Sequence, residues 1–81
     1  MTRLKELYAT GMCGIDDNGI GNNNLEKLDA SYNQKITNVN HMTKLKKLEA
    51  YGDCGIDDDG IKNLNLEILC ANYNVRITRK I

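Results

Sequence analysis

The sequence repeats itself with a period of 41 residues, and this periodicity restricts the fold more than any other feature. When residues 4–40 are aligned with residues 45–81, 22 of the 37 positions carry the same amino acid. Such self-similarity indicates a repeat architecture, in which one short structural unit stacks on the next. The identical pairs include Leu4 and Leu45, Cys13 and Cys54, Asp17 and Asp58, Gly19 and Gly60, and Asn33 and Asn74.

Each 41-residue copy divides again into two units of 20 or 21 residues. Leucine recurs at positions 4, 25, 45 and 66, and isoleucine at positions 15, 36, 56 and 77. We therefore predict one domain of four units, named units 1 to 4, over residues 4–24, 25–44, 45–65 and 66–81. Units 1 and 3 share the motif CGIDDxGI, whereas units 2 and 4 share YNxxIT. Neither end carries a recognisable cap, an element with a polar outer face.

One short strand, a turn and a return segment fit within each unit. We predict strands over residues 5–9, 26–30, 46–50 and 67–71, because the pattern Leu-x-x-Leu-x-Ala alternates inward and outward positions. Since every coil turns the same way, these strands should form one parallel sheet. Short 3₁₀ or irregular turns are expected in the return segments, with one-turn helices as an alternative near residues 18–22, 40–43 and 59–63. The far side of the core is predicted to contain Ile15, Ile20, Ile36, Val39, Met42, Ile56, Ile61 and Leu64.

This pattern resembles the leucine-rich repeat family. Its L-x-x-L-x-L-x-x-N frame fits Leu25, Leu28, Ala30 and Asn33, with alanine in place of the third leucine in every unit. Residues 36–42 are similar to the turn of short bacterial-type repeats, and residues 15–20 to a segment of the cysteine-containing subclass. The resemblance implies an α/β solenoid with a parallel sheet on the concave face and short 3₁₀ or helical pieces on the convex face. At the family's asparagine position, Asn33 and Asn74 are expected to point inward and satisfy backbone groups of neighbouring coils.

The composition bears on source and compartment. Asparagine, lysine and isoleucine are abundant, and tryptophan and proline are absent. Together with the two alternating units, this resembles repeat proteins of AT-rich genomes such as giant DNA viruses, which implies a viral protein in the host cytoplasm. The odd number of cysteines, three, also favours a reducing compartment such as the cytoplasm. The first residues, MTRLKEL, contain no apolar segment typical of a signal peptide.

The charge balance argues against nucleic acid or a membrane as the partner. Lysine and arginine total 11, as do aspartate and glutamate, so the formal net charge is zero. Binding to nucleic acid or to an anionic membrane usually requires a basic excess. The mean hydropathy is −0.51, and no stretch approaches the roughly 20 apolar residues that cross a membrane.

We predict no enzymatic activity, metal or cofactor, because no nucleophile with a base, phosphate-binding glycine loop or ligand cluster is recognisable. Cys13 and Cys54 should be buried thiols about 9.6 Å apart, beyond the roughly 7 Å limit for a disulfide. Cys70 is expected to be an exposed free thiol, and His41 to lie on the convex surface. The acidic segments at residues 16–19 and 57–60 lack the first aspartate and the bidentate glutamate of a calcium loop, so they are expected to start turns.

The outward positions of the strands form the candidate binding surface. All four tyrosines of the chain fall at or just after the strands. Tyrosine is favoured at interfaces because it offers a large area with few rotatable bonds and a polar tip, although it is also a good strand residue. The predicted binding residues are Tyr8, Tyr32, Tyr51, Tyr73, Lys5, Asp29, Glu49 and Asn72.

Two classes of function remain open from the sequence. The first is a non-catalytic scaffold that binds a protein partner through the concave strand face. The second is a structural unit that associates with itself end to end through uncapped coils, as a dimer or a longer solenoid. A fragment excised from a longer array, or an engineered scaffold, is a third possibility.

Overall fold

Each unit contributes one short strand to a single parallel sheet. The computed structural model describes residues 5–11, 14–20 and 25–78. The strands are β1 (Glu6–Tyr8), β2 (Lys27–Asp29), β3 (Lys47–Glu49) and β4 (Ile68–Cys70), and they lie side by side in that order. The four predicted strands and their parallel arrangement are confirmed, although each comprises only the central three of the five predicted residues.

The second leucine of each unit occupies the same row of the sheet. Leu7 pairs with Leu28, Leu28 with Leu48, and Leu48 with Leu69. In the central strands Leu28 and Leu48 are completely buried, whereas Leu7, Leu69 and Ala71 of the edge strands are only partly buried. The difference arises because, within the described part of the chain, an edge strand has a neighbouring coil on one side only.

The core lies between the inner face of the sheet and the return segments of the units. Every residue predicted for the far side of the core is buried except Ile15, which packs against the cluster but remains partly exposed. Ile15 belongs to unit 1, whose strand is at an edge of the sheet. The buried cluster contains residues of all four units. Burial of apolar side chains is the main favourable term in folding, so it joins the units to one another.

Two single-turn helices lie in the return segments, α1 (Asp17–Ile20) in unit 1 and α2 (Asp58–Ile61) in unit 3. They lie in two of the three segments where one-turn helices are the expected alternative, although residues 21–22 lie outside the described part of the chain. The aspartate before each helix, Asp16 or Asp57, accepts a hydrogen bond from the N–H of a glycine three residues later, at 2.7 and 2.8 Å. The acidic segments therefore start turns, as predicted.

Residues 40–43 form the irregular turn that was expected as the alternative to a third one-turn helix. That segment forms hydrogen-bonded turns without a helix. The reason is that Asn40 is engaged elsewhere: its amide donates to the carbonyl of Asp59 at 2.7 Å, and its side-chain oxygen accepts from the N–H of Asn63 at 2.9 Å. Its backbone N–H donates to the side chain of Asn38 at 3.0 Å, an alternative to a helical bond.

Buried asparagines join unit 2 to unit 1 and unit 4 to unit 3. The side-chain amide of Asn33 donates to the carbonyls of Ala9 and Ile15 at 2.8 and 2.9 Å. Asn74 makes the equivalent two bonds to unit 3, at 2.8 and 3.3 Å. Both asparagines are buried, so the prediction of an inward, backbone-satisfying amide is confirmed.

The same pairs of units are joined again by a carboxylate. Asp17 accepts hydrogen bonds from the N–H of Thr37 at 2.8 Å and from its hydroxyl at 2.6 Å. Asp58 accepts the same two bonds from Thr78. The two aspartates of each IDD motif thus have separate tasks, one starting the helix and the other binding the next unit.

The boundary between units 2 and 3 is built differently, around glycines of unit 3. The ring of Tyr32 lies against Gly52, close enough that a Cβ on that glycine would be 2.6 Å from Cδ1 of the ring. A Cβ on Gly55 would be 2.9 Å from a carbonyl oxygen of unit 2, and one on Gly60 would overlap the carbonyl oxygen of Thr37. Only glycine allows the backbones to approach this closely.

The helices of the described residues are each four residues long, and none is long and apolar enough to cross a membrane.

Candidate binding surface

The side chains that point away from the core form three rows across the sheet, which we call the outer face. It is the face that the repeat pattern predicts to be concave. Pairing of the strands sets the first two rows, and backbone hydrogen bonds just beyond the strands extend the register to the third. The rows are Glu6, Lys27, Lys47 and Ile68; Tyr8, Asp29, Glu49 and Cys70; and Thr10, Ser31, Tyr51 and Asn72, of which Ser31 is buried.

Two carboxylates lie side by side in the middle row. Asp29 pairs in register with Glu49, and both side chains are half-buried. Asp29 accepts a hydrogen bond from the N–H of Ser31 at 3.0 Å, and Glu49 forms an ion pair with Lys47 at 3.3 Å. Like charges in directly opposite positions of a sheet repel each other. Neighbouring groups therefore partly balance the two carboxylates, and acidic side chains of adjacent strands remain side by side on the outer face.

Tyr8 is the exposed aromatic residue of this row. Its side chain is 60% exposed, and the ammonium of Lys27 lies 5.4 Å from the centre of its ring. That ammonium is also 3.9 Å from the carboxylate of Glu6. The pKa of Lys27 is raised above its ordinary value, first by hydrogen bonding with Tyr8 and then by the charges of Glu6 and Glu49. Lys27 therefore stays charged and holds the ring by a cation–π contact.

Tyr51 and Cys70 meet in the neighbouring part of the outer face. Both are half-buried. Hydrogen bonding with Cys70 is the main cause that raises the pKa of Tyr51, followed by partial burial and by the charge of Cys70. Cys70 is a free thiol, as predicted, but it is half-buried and not exposed. Cys54 is buried, as predicted, and burial raises the pKa of its thiol, whereas Cys13 lies outside the described residues.

Tyr32 and Tyr73 do not lie on the strands but in the turn that follows them. Both have a positive φ, 62° and 66°, and Gly11 and Gly52 occupy the same position of the other units with φ of 60° and 62°. A left-handed backbone is costly for any residue with a Cβ. The side chains of Tyr32 and Tyr73 are 57% and 89% exposed, at the rim of the outer face.

The structure thus divides the predicted binding residues into two groups. Tyr8, Asp29, Glu49 and Tyr51 are brought together on the outer face, with Asn72 exposed at the end of the third row. The remaining members lie around this centre: Lys5 is exposed just before β1, and Tyr32 and Tyr73 are at the rim.

Lys27 is an outward strand position on the predicted face, although it is not one of the eight predicted binding residues. Its position opposite Glu6 and next to Tyr8 follows from the register of β1 and β2. The 21-residue offset between the strands gives this pairing, because it places residue 27 opposite residue 6.

Open clefts flank the sheet, and two of them are lined by described residues. One, of about 420 Å³, lies at the amino ends of the central strands and is lined by Glu26, Thr43, Lys44, Leu45, Lys46, Asn65 and Glu67. The other, of about 250 Å³, is lined by Gly11, Tyr32, Asn33, Gln34 and Lys35. Within residues 5–11, 14–20 and 25–78, no three histidine, cysteine or acidic side chains are grouped as a metal site.

No protein-family model, curated protein sequence or solved structure gives a significant match to this chain.

Proposed function

We propose that the protein is a non-catalytic interaction scaffold of the leucine-rich repeat type, an α/β solenoid that binds a protein partner through the outer face of its sheet. The repeat assignment is supported by the leucines that share one row and by the asparagines that satisfy the backbone of the preceding unit. The proposed location is the cytoplasm, the host's if the gene is viral.

The observation that carries the binding site is the Asp29–Glu49 pair beside the exposed ring of Tyr8. These side chains take no part in the core, and the two carboxylates repel each other. Tyrosines next to charged groups are the residues from which binding hot spots are usually built. Binding of a complementary partner to this face would therefore lower the free energy.

The partner's contact segment is predicted from this chemistry. An arginine or lysine inserted between Asp29 and Glu49 would offset their repulsion, and an arginine could bond both carboxylates. The ring of Tyr8 and the half-buried ring of Tyr51 would then cover the apolar part of that side chain. Lys27 and Lys47 at the next row favour an acidic residue at the neighbouring position of the partner.

The experiment compares three immobilised proteins in affinity capture from extracts of the cells that express the chain. The face variant carries Tyr8→Ala and Asp29→Asn. The control variant carries His41→Ala and Lys62→Ala, two exposed residues outside the sheet. A thermal melt of each protein establishes that all three are folded before capture is compared by quantitative mass spectrometry.

We expect a protein partner that is captured equally by the wild type and the control, and at least about tenfold less by the face variant, a loss of about 1.4 kcal/mol. Equal capture of the same proteins by all three would overturn the proposal.

End-to-end self-association is the second candidate function. It is favoured by the exposed apolar side chains at the β4 edge of the sheet, Ile68, Tyr73 and Val75.

A further inference from the structure

The backbone groups that form hydrogen bonds across the boundary between units 2 and 3 recur at the two edges of the sheet. Between units 2 and 3, the N–H of Ala30 donates to the carbonyl of Glu49 at 2.8 Å, and that of Tyr32 to Tyr51 at 2.9 Å. The equivalent N–H groups of unit 4 belong to Ala71 and Tyr73, and they have no acceptor among the described residues. An unpaired strand edge is a template for pairing with another chain.

The β4 edge is also the more apolar surface. Tyr32 is 57% exposed because its ring rests on Gly52, whereas Tyr73, in the same backbone conformation, is 89% exposed. Val75 is 89% exposed and Ile68 49%. Unit 4 thus presents the side of unit 2 that packs on unit 3, but without a covering unit among the described residues.

The β1 edge presents the complementary surface. Gly11, Gly14 and Gly19 stand at the positions that Gly52, Gly55 and Gly60 occupy in unit 3, where a Cβ would meet unit 2. No described atom lies within 4 Å of a Cβ built on Gly11 or Gly14, and one built on Gly19 meets only its own unit.

From these two edges we propose that the chain stacks head to tail on a second copy of itself, with β4 of one copy pairing in parallel with β1 of the next. The geometry would be that of the boundary between units 2 and 3. Tyr73 would rest on Gly11 of the next copy, the N–H of Ala71 would donate to the carbonyl of Tyr8, and the carbonyl of Thr78 would lie over Gly19. The occupant is a second copy because one chain carries both surfaces of the contact, at its β4 and β1 edges. The equivalent surfaces of units 2 and 3 pack together within the chain.

This contact joins different surfaces of the two copies, so it does not close into a dimer. It generates a linear assembly that further copies can extend, which we call the ladder. It is weaker than the interior boundary in one respect. The residue equivalent to Asn40, whose amide bonds unit 3, is Ile81, so those hydrogen bonds are not repeated. The outer face stays open in the ladder, so this inference does not depend on the proposed partner binding.

The test is sedimentation velocity of the full chain over about a hundredfold range of concentration, where mass action drives association. The decisive variant is Gly19→Ala. Its Cβ is accommodated within its own unit, at 3.4 Å or more from the nearest atoms, but would overlap the Thr78 carbonyl of the preceding copy, as a Cβ on Gly60 overlaps Thr37. Tyr73→Ala removes the opposite half of the contact, and His41→Ala is the control because that residue is exposed in an interior unit.

We expect the average mass of the wild type and of His41→Ala to rise with concentration beyond that of a dimer. Gly19→Ala should remain a monomer of unchanged or higher melting temperature, and Tyr73→Ala should associate at least tenfold more weakly. A wild type that stays monomeric would overturn the proposal, as would a mass that stops at a dimer or a Gly19→Ala variant that associates like the wild type. Gly19→Ala should still capture the protein partner of the outer face, which separates failure of this proposal from failure of the other.

Discussion

The ring of Tyr32 lies against the backbone of Gly52, so a tyrosine in one unit requires a glycine in the next. The two residues occupy the same left-handed position of successive turns, with φ of 62° in both. The two kinds of unit are therefore complementary: the tyrosine in the turn of one packs on the glycine in the turn of the other. This explains why the sequence repeats over 41 residues rather than over 20 or 21.

Alanine at Gly52 should destabilise the protein more than alanine at Gly11. Both glycines have a positive φ near 60°, so both substitutions carry the same backbone cost of about 1–2 kcal/mol. Only at Gly52 does the new Cβ also collide with Tyr32, which should add about 1–3 kcal/mol. Urea unfolding at low protein concentration measures the difference.

The Tyr32–Gly52 pair also allows a test of whether the collision causes the additional loss of stability. Truncating the ring with Tyr32→Ala should remove the collision, so the additional loss caused by Gly52→Ala should shrink in the double variant. Equal losses for Gly11→Ala and Gly52→Ala would contradict the contact.

Replacing Asn33 by alanine should cost about 2–4 kcal/mol of unfolding free energy. The substitution removes the amide donor from the buried carbonyl of Ala9 and from the part-buried carbonyl of Ile15, and it removes the acceptor of the Lys35 N–H. Asn38→Ala is the matched control, because among the described residues the exposed side chain of Asn38 bonds only to the nearby N–H of Asn40, and the substitution keeps the backbone N–H that donates to Asp17. We expect it to cost less than about 1 kcal/mol, and a comparable loss in the two variants would be evidence against an inward amide.

The thiol of Cys54 should resist modification while that of Cys70 reacts. Cys54 is completely buried, and burial raises its pKa, so little thiolate is present or accessible. Cys70 is half-buried at the outer face. In a Cys13→Ser background, labelling with a thiol reagent should modify Cys70 first and Cys54 only as the protein unfolds. Labelling of both at the same rate in native buffer would contradict this arrangement.

The raised pKa of Cys54 also predicts how stability changes in alkaline solution. Above about pH 8.5 the thiol of the unfolded chain loses its proton, whereas the folded protein retains it. The unfolded state then binds fewer protons, so stability falls as the pH rises from the unfolded pKa through the higher folded pKa. Cys54→Ala should remove this contribution to the fall of the unfolding free energy with rising pH.

The strands and core were predictable because their determinants are local and repeated. The spacing of Leu7, Leu28, Leu48 and Leu69 identified the register, since each row is set by the same step along the chain. The inward asparagines followed from their position relative to those leucines. A pattern repeated four times averages out the ambiguity that a single short apolar run would leave.

The parts that could not be predicted depend on contacts between units rather than on local pattern. Residues 40–43 form turns and not a one-turn helix because Asn40 bonds to unit 3, a partner that the local sequence does not reveal. Cys70 is half-buried, and its influence on the pKa of Tyr51 arises from residues that only the pairing of β3 with β4 brings near each other. The left-handed φ of Tyr32 was equally hidden, because tyrosine gives no local signal for a conformation that glycine normally adopts.

The most direct test of the stacking that underlies both proposals compares Gly19→Ala with Gly60→Ala in chemical unfolding of the monomer. The two glycines occupy the same position of units 1 and 3, and neither has a positive φ. Gly60→Ala should lower the free energy of unfolding by about 1–3 kcal/mol, because its Cβ overlaps the Thr37 carbonyl of the preceding unit. Gly19→Ala should leave it unchanged or raise it by up to about 1 kcal/mol, since alanine restricts the unfolded chain and meets no preceding unit among the described residues. The same loss of stability in both variants would contradict the stacking of unit 2 on unit 3.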